Sequence, residues 1–326
     1  MMPIRRRFWL LALLATLWAI AIMACDRLPQ SNSPPLRLAF NLWPGYFPMV
    51  LAQERGYFAE QGVEVELSLV GGTIMSDFRE GRYDGLAMTI GNAITTAPEQ
   101  PIQIVMALDD SMGADAVVAS PEIEAIADLQ GQSVGATLGG FGELFLEQML
   151  DSVGLSREEV TFVESDPSEV PEELGDRLIQ AGHTWEPHVS RAVEQGNRIL
   201  FTSAETPGLI TDVVFFNESV ISDRPDDVRA FVRACFQAIE TWQEDISGGT
   251  ALIADALDLE ADDISLDGIR LLTLADNQQR FDPRDESSLY QNAQLYTDFF
   301  LRTDTIMAPV DLDRLIDDGF LNLTDL

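Results

Sequence analysis

Short apolar runs alternate with helix-patterned segments along most of the chain. Runs rich in β-branched and aliphatic residues predict strands, whereas apolar residues three or four positions apart predict helices. The predicted strands are residues 36–40, 63–70, 85–89, 102–108, 114–119, 133–136, 160–164, 198–201 and 210–217. Predicted helices between them cover residues 73–80, 141–153, 172–179 and 188–194. This alternation predicts an α/β fold in which helices flank parallel or mixed sheets.

The chain is long enough for two lobes. Roughly 290 residues follow Leu36, more than one ordinary hydrophobic core organises. We expect residues 36–112 and 213–326 to form the first lobe and residues 113–212 the second. Beyond Asp226 the pattern is helical, with an apolar stripe that contains Phe231, Cys235 and Trp242. We expect this tail to pack on the first lobe.

The segment after the first predicted strand indicates a ligand site. A loop with the sequence WPGYFP (residues 43–48) joins that strand to an apolar helix that begins at Pro48. Pro suits a first helical position, where its missing N–H would be unpaired in any case. Open α/β sheets hold ligands beyond the carboxyl ends of their strands. Taken alone, the aromatic residues of this loop can equally be core.

The N-terminal segment has the pattern of an export signal. Three arginines (residues 5–7) precede an apolar run at residues 8–24, which is followed by Cys25. The run is near the lower limit for a membrane-spanning helix, so an uncleaved anchor is the alternative. Residues 22–25 (IMAC) resemble a bacterial lipobox, which implies a signal peptide at residues 1–24 and lipidation of Cys25. Residues 25–35 then form the lipidated start and a polar linker.

The strand, the WPGYFP loop and the following GYF (residues 56–58) resemble ABC-importer solute receptors of the nitrate/sulfonate/taurine group, which also includes receptors for thiamine pyrimidine precursors. The resemblance extends over most of the mature chain. It implies a two-lobed periplasmic-binding-protein fold of type II, in which each lobe has a mixed sheet flanked by helices. The chain would cross between lobes near residues 111–115 and 207–212. Closure of such lobes around a solute is a hinge motion.

Five segments at strand ends are expected to face the cleft between the lobes. The candidate ligand-binding residues are Trp43, Tyr46, Thr73, Thr89, Asn92, Thr137, Gly139, Gly140, Phe141, Trp185, Glu186 and Asp212. Residues 185–187 (WEP) resemble a signature of the receptor group, although residues 181–183 depart from its usual pattern.

Each segment also has a purely structural interpretation. Thr89 and Asn92 can simply cap a helix, and residues 71–73 can be a tight turn. Glu186 can pair with Arg191 instead of a ligand. Residues 137–142 place bare backbone at a helix start, where an anion or a carbonyl oxygen can bind, but they do not form a P-loop.

Composition and motif spacing argue against several classes of function. The formal net charge is −34, or about −37 without the three signal arginines, and all twenty basic residues are arginine. No basic stripe is present, which argues against a nucleic-acid partner. The only two histidines, His183 and His188, lack metalloprotease spacing, and no Gly-x-Ser-x-Gly occurs. We expect no enzyme activity, metal or cofactor. After lipidation of Cys25 no internal disulfide is possible, and Cys235 is expected to be a buried thiol.

The candidate segments contain carboxylates and no basic side chain, which favours a cationic or N–H-rich solute. Glu186 and Asp212 are two of these carboxylates, and the hinge strip adds Asp109, Asp110 and Asp115. Unpaired buried carboxylates are costly, so those in a cleft need such a partner. Nitrate and bicarbonate then become poor candidates.

With the resemblance, the expected protein is the monomeric solute-binding lipoprotein of an ABC importer, held at the outer face of the bacterial cytoplasmic membrane. It would deliver a small nitrogen- or sulfur-containing solute to a permease and its ATPase. Amines, amidines, aminopyrimidines and taurine-like sulfonates are the candidate solutes. The alternative is a sensory or scaffolding lipoprotein that retains the receptor fold.

Overall fold

The computed structural model describes residues 33–323, which contain two mixed β-sheets with helices packed on them. The strands are β1 (Leu36–Phe40), β2 (Val65–Leu69), β3 (Gly85–Thr89), β4 (Ile102–Ser111), β5 (Asp115–Ala119), β6 (Ser133–Ala136), β7 (Thr161–Glu164), β8 (Ala181–Trp185), β9 (Arg198–Thr202), β10 (Thr211–Asn217) and β11 (Ile269–Leu271). The first sheet has the strand order β11-β4-β10-β3-β1-β2 and the second β7-β6-β8-β5-β9. The predicted α/β class with two mixed sheets is confirmed.

Helices cover the sheets and form most of the C-terminal third. The α-helices of the described residues are α1 (Pro48–Glu54), α2 (Tyr57–Glu60), α3 (Ile74–Arg79), α4 (Ile90–Thr96), α5 (Phe141–Asp151), α6 (Val170–Gly175), α7 (His188–Glu194), α8 (Glu218–Asp223), α9 (Pro225–Glu244), α10 (Ile246–Leu257), α11 (Leu274–Arg280), α12 (Leu289–Arg302) and α13 (Leu312–Leu315). Pro48 is the first residue of α1 and Pro225 that of α9, where neither proline breaks a backbone hydrogen bond.

Helix α9 packs its apolar stripe on the first sheet and its helices. Phe231 stacks on Phe58 with ring centroids 5.4 Å apart and meets the edge of Phe216 from β10 at 5.5 Å. Cys235 and Trp242, on the same face, are fully buried. The predicted packing of the tail and the burial of the Cys235 thiol are therefore observed. Burial also raises the pKa of this thiol well above its ordinary value, which disfavours a reactive thiolate.

The chain crosses from the first sheet to the second between β4 and β5, and returns between β9 and β10. Hydroxyl groups tie the two crossings together. The Oγ atoms of Ser111 and Ser203 are 2.8 Å apart, and the Gly113 N–H donates to Ser203 Oγ at 2.6 Å. The crossings lie close in space, as a hinge requires. The lobe limits given above, residues 36–112 with 213–326 and residues 113–212, remain our proposal.

Three local predictions differ from the structure. Strand β8 was not predicted, because the run AGHTW lacks an apolar or alternating pattern. It forms a strand because it lies between β6 and β5 in the sheet. Its glycine is needed for packing, because a Cβ on Gly182 would lie 2.9 Å from Val170 Cγ1. The predicted helix at 172–179 is α6 and ends at Gly175, shortly before Arg177 takes a positive φ of 60°. The tail is not wholly helical, because β11 pairs with β4.

The predicted signal peptide, Cys25 and the linker up to residue 32 lie outside the described residues. Within residues 33–323, no helix combines the length and the apolar character needed to cross a membrane.

Candidate functional site

A cavity of about 590 Å³ lies where loops after the strands of both sheets meet. The first sheet contributes the segments that follow β1, β2 and β3, and the second those that follow β6, β7 and β8. This is the strand-end location expected for a ligand site in α/β proteins. A larger but open depression of about 640 Å³, lined by residues within 290–294 and 310–313, contains none of the predicted site residues.

Ten of the twelve candidate ligand-binding residues line this cavity. They come from segments up to 169 positions apart in the chain, which the fold brings to one place. The ten are Trp43, Tyr46, Thr89, Asn92, Thr137, Gly139, Gly140, Phe141, Trp185 and Asp212. Their contact with a ligand stays a prediction.

Thr73 and Glu186 do not line the cavity, and both have other partners. The exposed hydroxyl of Thr73 donates to Asp77 at 2.9 Å. The Glu186 carboxylate accepts from the backbone N–H and the hydroxyl of Ser190, each at 3.1 Å, at the start of α7. Its other suggested partner, Arg191, donates to Glu172 at 2.8 Å instead. Glu186 therefore stabilises a helix start and does not present its charge to the cavity.

On the first sheet, the aromatic wall is held from behind by two aspartates. Trp43 Nε1 donates to Asp109 Oδ1 at 3.0 Å, and the Tyr46 hydroxyl donates to Asp212 Oδ1. The loop approaches Asp109 so closely that a Cβ on Gly45 would lie 2.0 Å from Asp109 Oδ2. Both polar donors are therefore used inside the protein and are not free for a ligand, and the two side chains, 5% and 2% exposed, present only a small apolar surface to the cavity.

On the second sheet, an aromatic cluster forms the facing wall. The rings of Phe141 and Trp185 stack with centroids 6.2 Å apart and an interplanar angle of 26°. The ring of His183 meets the edge of Phe141 at 5.2 Å, and its Nε2 is 3.0 Å from Asp115 Oδ1. His183 is buried, and its Nδ1 has no partner among the described residues. The cavity therefore has flat surfaces on both sides.

The start of α5 is already occupied by carboxylates of the protein itself. The Gly139 N–H donates to Glu143 Oε2 at 2.8 Å, and the Leu138 N–H donates to Glu164 Oε2 at 3.0 Å. Arg157 pairs with the other oxygen of Glu143 at 2.9 Å. Two N–H groups just before this helix are thus taken by the protein itself, and an anion bound at the helix start would lie near the negative charge of Glu143.

The charges around the cavity are mostly negative. Asp115, Asp166 and Asp212 line it, and no arginine does so among the described residues. Burial raises the pKa of Asp212 to about 7, and the charge of Asp115 acts in the same direction. His188, which also lines the cavity, has a lowered pKa because of burial and the nearby Arg191. The site therefore disfavours anions.

Sequence reasoning missed part of this site. His183, which the sequence suggested only as a poor metal ligand and as a departure from the receptor pattern, lines the cavity, and so does Asp115, one of the hinge-strip carboxylates that could face the cleft. Nothing in the sequence marks the lining residues Asp166 and Ser168 as candidates for ligand binding, apart from their position after a strand end. Among residues 33–323, no group of His, Cys, Asp and Glu side chains has an arrangement suited to a metal ion.

Two mixed α/β sheets joined by two crossings, with a cavity lined from both, define the periplasmic-binding-protein fold. The chain belongs to the NMT1/THI5-like family, whose model matches residues 43–245. The resemblance inferred from the WPGYFP loop is confirmed.

Similar proteins agree with this class. The chain is 22% identical over 334 residues (96% of its length and 95% of the relative's) to a protein of Bacillus subtilis (strain 168) whose name assigns it to aliphatic sulfonates. It is 26% identical over 226 residues (65% of this chain and 64% of the relative) to the riboflavin-binding protein RibY of Chloroflexus aurantiacus. The periplasmic aliphatic sulphonate binding protein SsuA of Escherichia coli is 17% identical, covers 87% of this chain and 92% of its own, and has a TM-score of 0.71. That structural likeness shows the fold.

Proposed function

We propose that the protein is the solute-binding component of an ABC importer, exported and anchored through a lipid on Cys25. In this role it captures a small solute between its two sheets and passes it to a membrane permease without altering it. The membership of the NMT1/THI5-like family and the relatives that bind riboflavin or sulfonates support this role. Export and anchoring rest on the basic start, the apolar run and the IMAC segment before residue 26.

The solute class follows from one observation: the cavity has aromatic walls and carboxylates but no arginine among the described lining residues. Flat apolar walls suit a flat or apolar body, and a face over an aromatic ring also attracts a cation. Carboxylates need a cationic or N–H-rich partner when water leaves the cleft. We therefore favour an organic amine, amidine or aminopyrimidine.

A taurine-like sulfonate is the competing solute, because relatives carry that assignment. Binding an anion calls for arginine, lysine or several free N–H groups. Here the N–H groups of Leu138 and Gly139 are taken by carboxylates of the protein. A sulfonate in this cavity would also meet the carboxylate of Asp115, which makes the site a poor match for it.

A thermal-shift and calorimetric comparison tests this proposal. Benzamidine and 4-aminopyridine, both flat organic cations, are compared with taurine and nitrate. A ligand at about 100 times its Kd stabilises the folded state by about 2.7 kcal/mol, which raises Tm by several degrees. Binding of cations with no response to the anions supports the proposed solute class. Binding of taurine or nitrate alone refutes it.

Substitution at the aromatic wall locates the binding in this cavity. Trp185→Ala removes a half-buried ring of the stacked pair, so affinity for a bound cation should fall about 10- to 100-fold. Glu186→Gln is the matched control, because the neighbouring residue lies outside the cavity and Gln retains an acceptor for Ser190. Unchanged affinity in Trp185→Ala, or equal losses in both variants, would place the binding elsewhere.

A further inference from the structure

Two carboxyl groups face each other beneath the cavity floor. Asp109 on β4 and Asp212 on β10 are direct partners in the antiparallel ladder, so their side chains lie next to each other on one face of the sheet. Asp109 is 0% exposed and Asp212 is 2% exposed, so bulk water screens neither charge. Of the two, Asp212 also lines the cavity. The pair therefore borders the cavity through the Asp212 side chain, so a bound solute can lie next to it.

The contact between these carboxyl groups requires a proton. Trp43 donates to one oxygen of Asp109, and Tyr46 donates to one oxygen of Asp212. The second oxygen of Asp109 is buried and receives no N–H or O–H donor from the described residues. The Cβ atoms of directly opposed ladder residues lie about 4.5–5.5 Å apart, and two buried ionised carboxylates repel at such a separation, whereas a protonated one can donate to the other. The ladder pairing, the burial and the unpartnered oxygen together indicate at least one bound proton.

Among the described residues, no arginine or histidine pairs with either carboxyl group. Asp110, beside Asp109 on β4, and Asp115, on β5 of the second sheet, add negative charge near the pair, and their partners are Arg280 on α11 and His183 on β8. The remaining titratable groups facing the pair are the hydroxyls of Tyr46 and Tyr296. Tyr46 donates to Asp212 and Tyr296 to Leu209 O at 3.2 Å. Arg280 donates to Asp110 and to Ser287 O, so its hydrogen bonds go to groups outside the pair.

Burial and the neighbouring carboxylates act in the same direction. The pKa of Asp109 is raised well above its ordinary value by burial and then by the charge of Asp212. The pKa of Asp212 is raised to about 7 by burial. Because the two sites interact, these values describe the pair. The pair therefore begins to lose protons only near neutral pH.

We propose that the Asp109–Asp212 pair is a proton store coupled to the cavity, and that a cationic solute binding against Asp212 releases one proton from it. This inference rests on the proposed function, since it assumes a cation in the cleft. A positive charge beside Asp212 stabilises its ionised form and compensates the negative charge that remains when the proton leaves.

The proton store is tested first in the empty protein, independently of any ligand. Carboxyl carbons of 13C-labelled aspartate are followed by NMR from pH 4 to pH 9. We expect Asp212 to titrate near pH 7 and Asp109 to stay protonated to higher pH. Asp212→Asn identifies the resonance, and Asp109→Asn should move the remaining transition to lower pH. Asp166→Asn, an exposed carboxylate that also lines the cavity, should leave it unchanged. Ordinary titration of both aspartates below pH 5 overturns the inference.

The coupling is tested by calorimetry with benzamidine in buffers of different ionisation enthalpy. With an apparent pKa of about 7, we expect about 0.9 proton released per cation bound at pH 6 and about 0.1 at pH 8. Binding without proton release at pH 6 overturns the coupling while leaving the proposed function intact. Absence of binding overturns both the solute class and the coupling, and the NMR titration still decides whether the store exists.

Discussion

The buried carboxyl pair should make the stability of this protein fall as the pH rises from 5 to 8. In the unfolded chain an aspartate ionises near its ordinary pKa of 3.8, whereas burial raises the pKa of Asp212 to about 7 in the folded protein. Between these values Asp212 binds one proton more in the folded state than in the unfolded state. Stability is therefore greatest below the unfolded pKa and is lost as the pH passes through the folded one.

The magnitude follows from this linkage. Each pH unit between 5 and 7 removes about 1.4 kcal/mol for one proton, so on the order of 3 kcal/mol is lost by pH 7. The loss of stability that comes from Asp212 then levels off above pH 7, the approximate pKa of this residue in the folded protein. His188 acts in the opposite direction, because its lowered pKa leaves the unfolded state with more protons below about pH 6.5. A comparison between variants that share His188 removes this contribution.

The assay is urea denaturation at pH 5, 6, 7 and 8 for the wild type and for Asp212→Asn. The amide is isosteric and uncharged, and it retains an oxygen that accepts from Tyr46. The free energy of unfolding should fall across this range by on the order of 3 kcal/mol more in the wild type than in the variant. Asp166→Asn, which changes an exposed carboxylate, should behave like the wild type. Parallel pH profiles for the wild type and Asp212→Asn would refute the reasoning.

Two further substitutions test the packing and the charges around the site. Gly45→Ala places a Cβ 2.0 Å from a buried oxygen of Asp109, so thermal denaturation should show a loss of about 1–3 kcal/mol. Gly71→Ala, whose Cβ would meet nothing within 4 Å, should be nearly neutral, and an equal loss there would contradict the steric argument. Arg280→Met leaves a buried carboxylate unpaired and should cost about 3–5 kcal/mol by urea denaturation. Arg284→Met, at an exposed ion pair, should leave stability nearly unchanged, and similar losses in both variants would refute the distinction.

Local patterns were sufficient for most of the fold, because a strand with an apolar run or a helix with an apolar stripe carries its own signal. Strand β1 and helix α7 have the predicted bounds. Strand β8 carried no such signal: its small and polar residues become a strand only because β5 and β6 flank it. Burial on both faces then replaces intrinsic propensity.

The candidate site was predicted to the extent that it follows strand ends. Trp43, Phe141 and Trp185 lie at such ends and line one cavity. Glu186 also follows a strand, but which way its carboxylate points depends on a hydrogen bond to α7. The order of residues along the chain does not determine this orientation.

The amino-acid sequence by itself determined the two α/β series, the acidic character, the aromatic loop and the family. The tertiary structure alone decided which polar groups are already satisfied and which remain for a solute. Tyr46 and Asp212 are 166 positions apart, yet they share a buried hydrogen bond. The reason is that desolvation and pairing depend on distances in space, and these arise only when the sheets assemble.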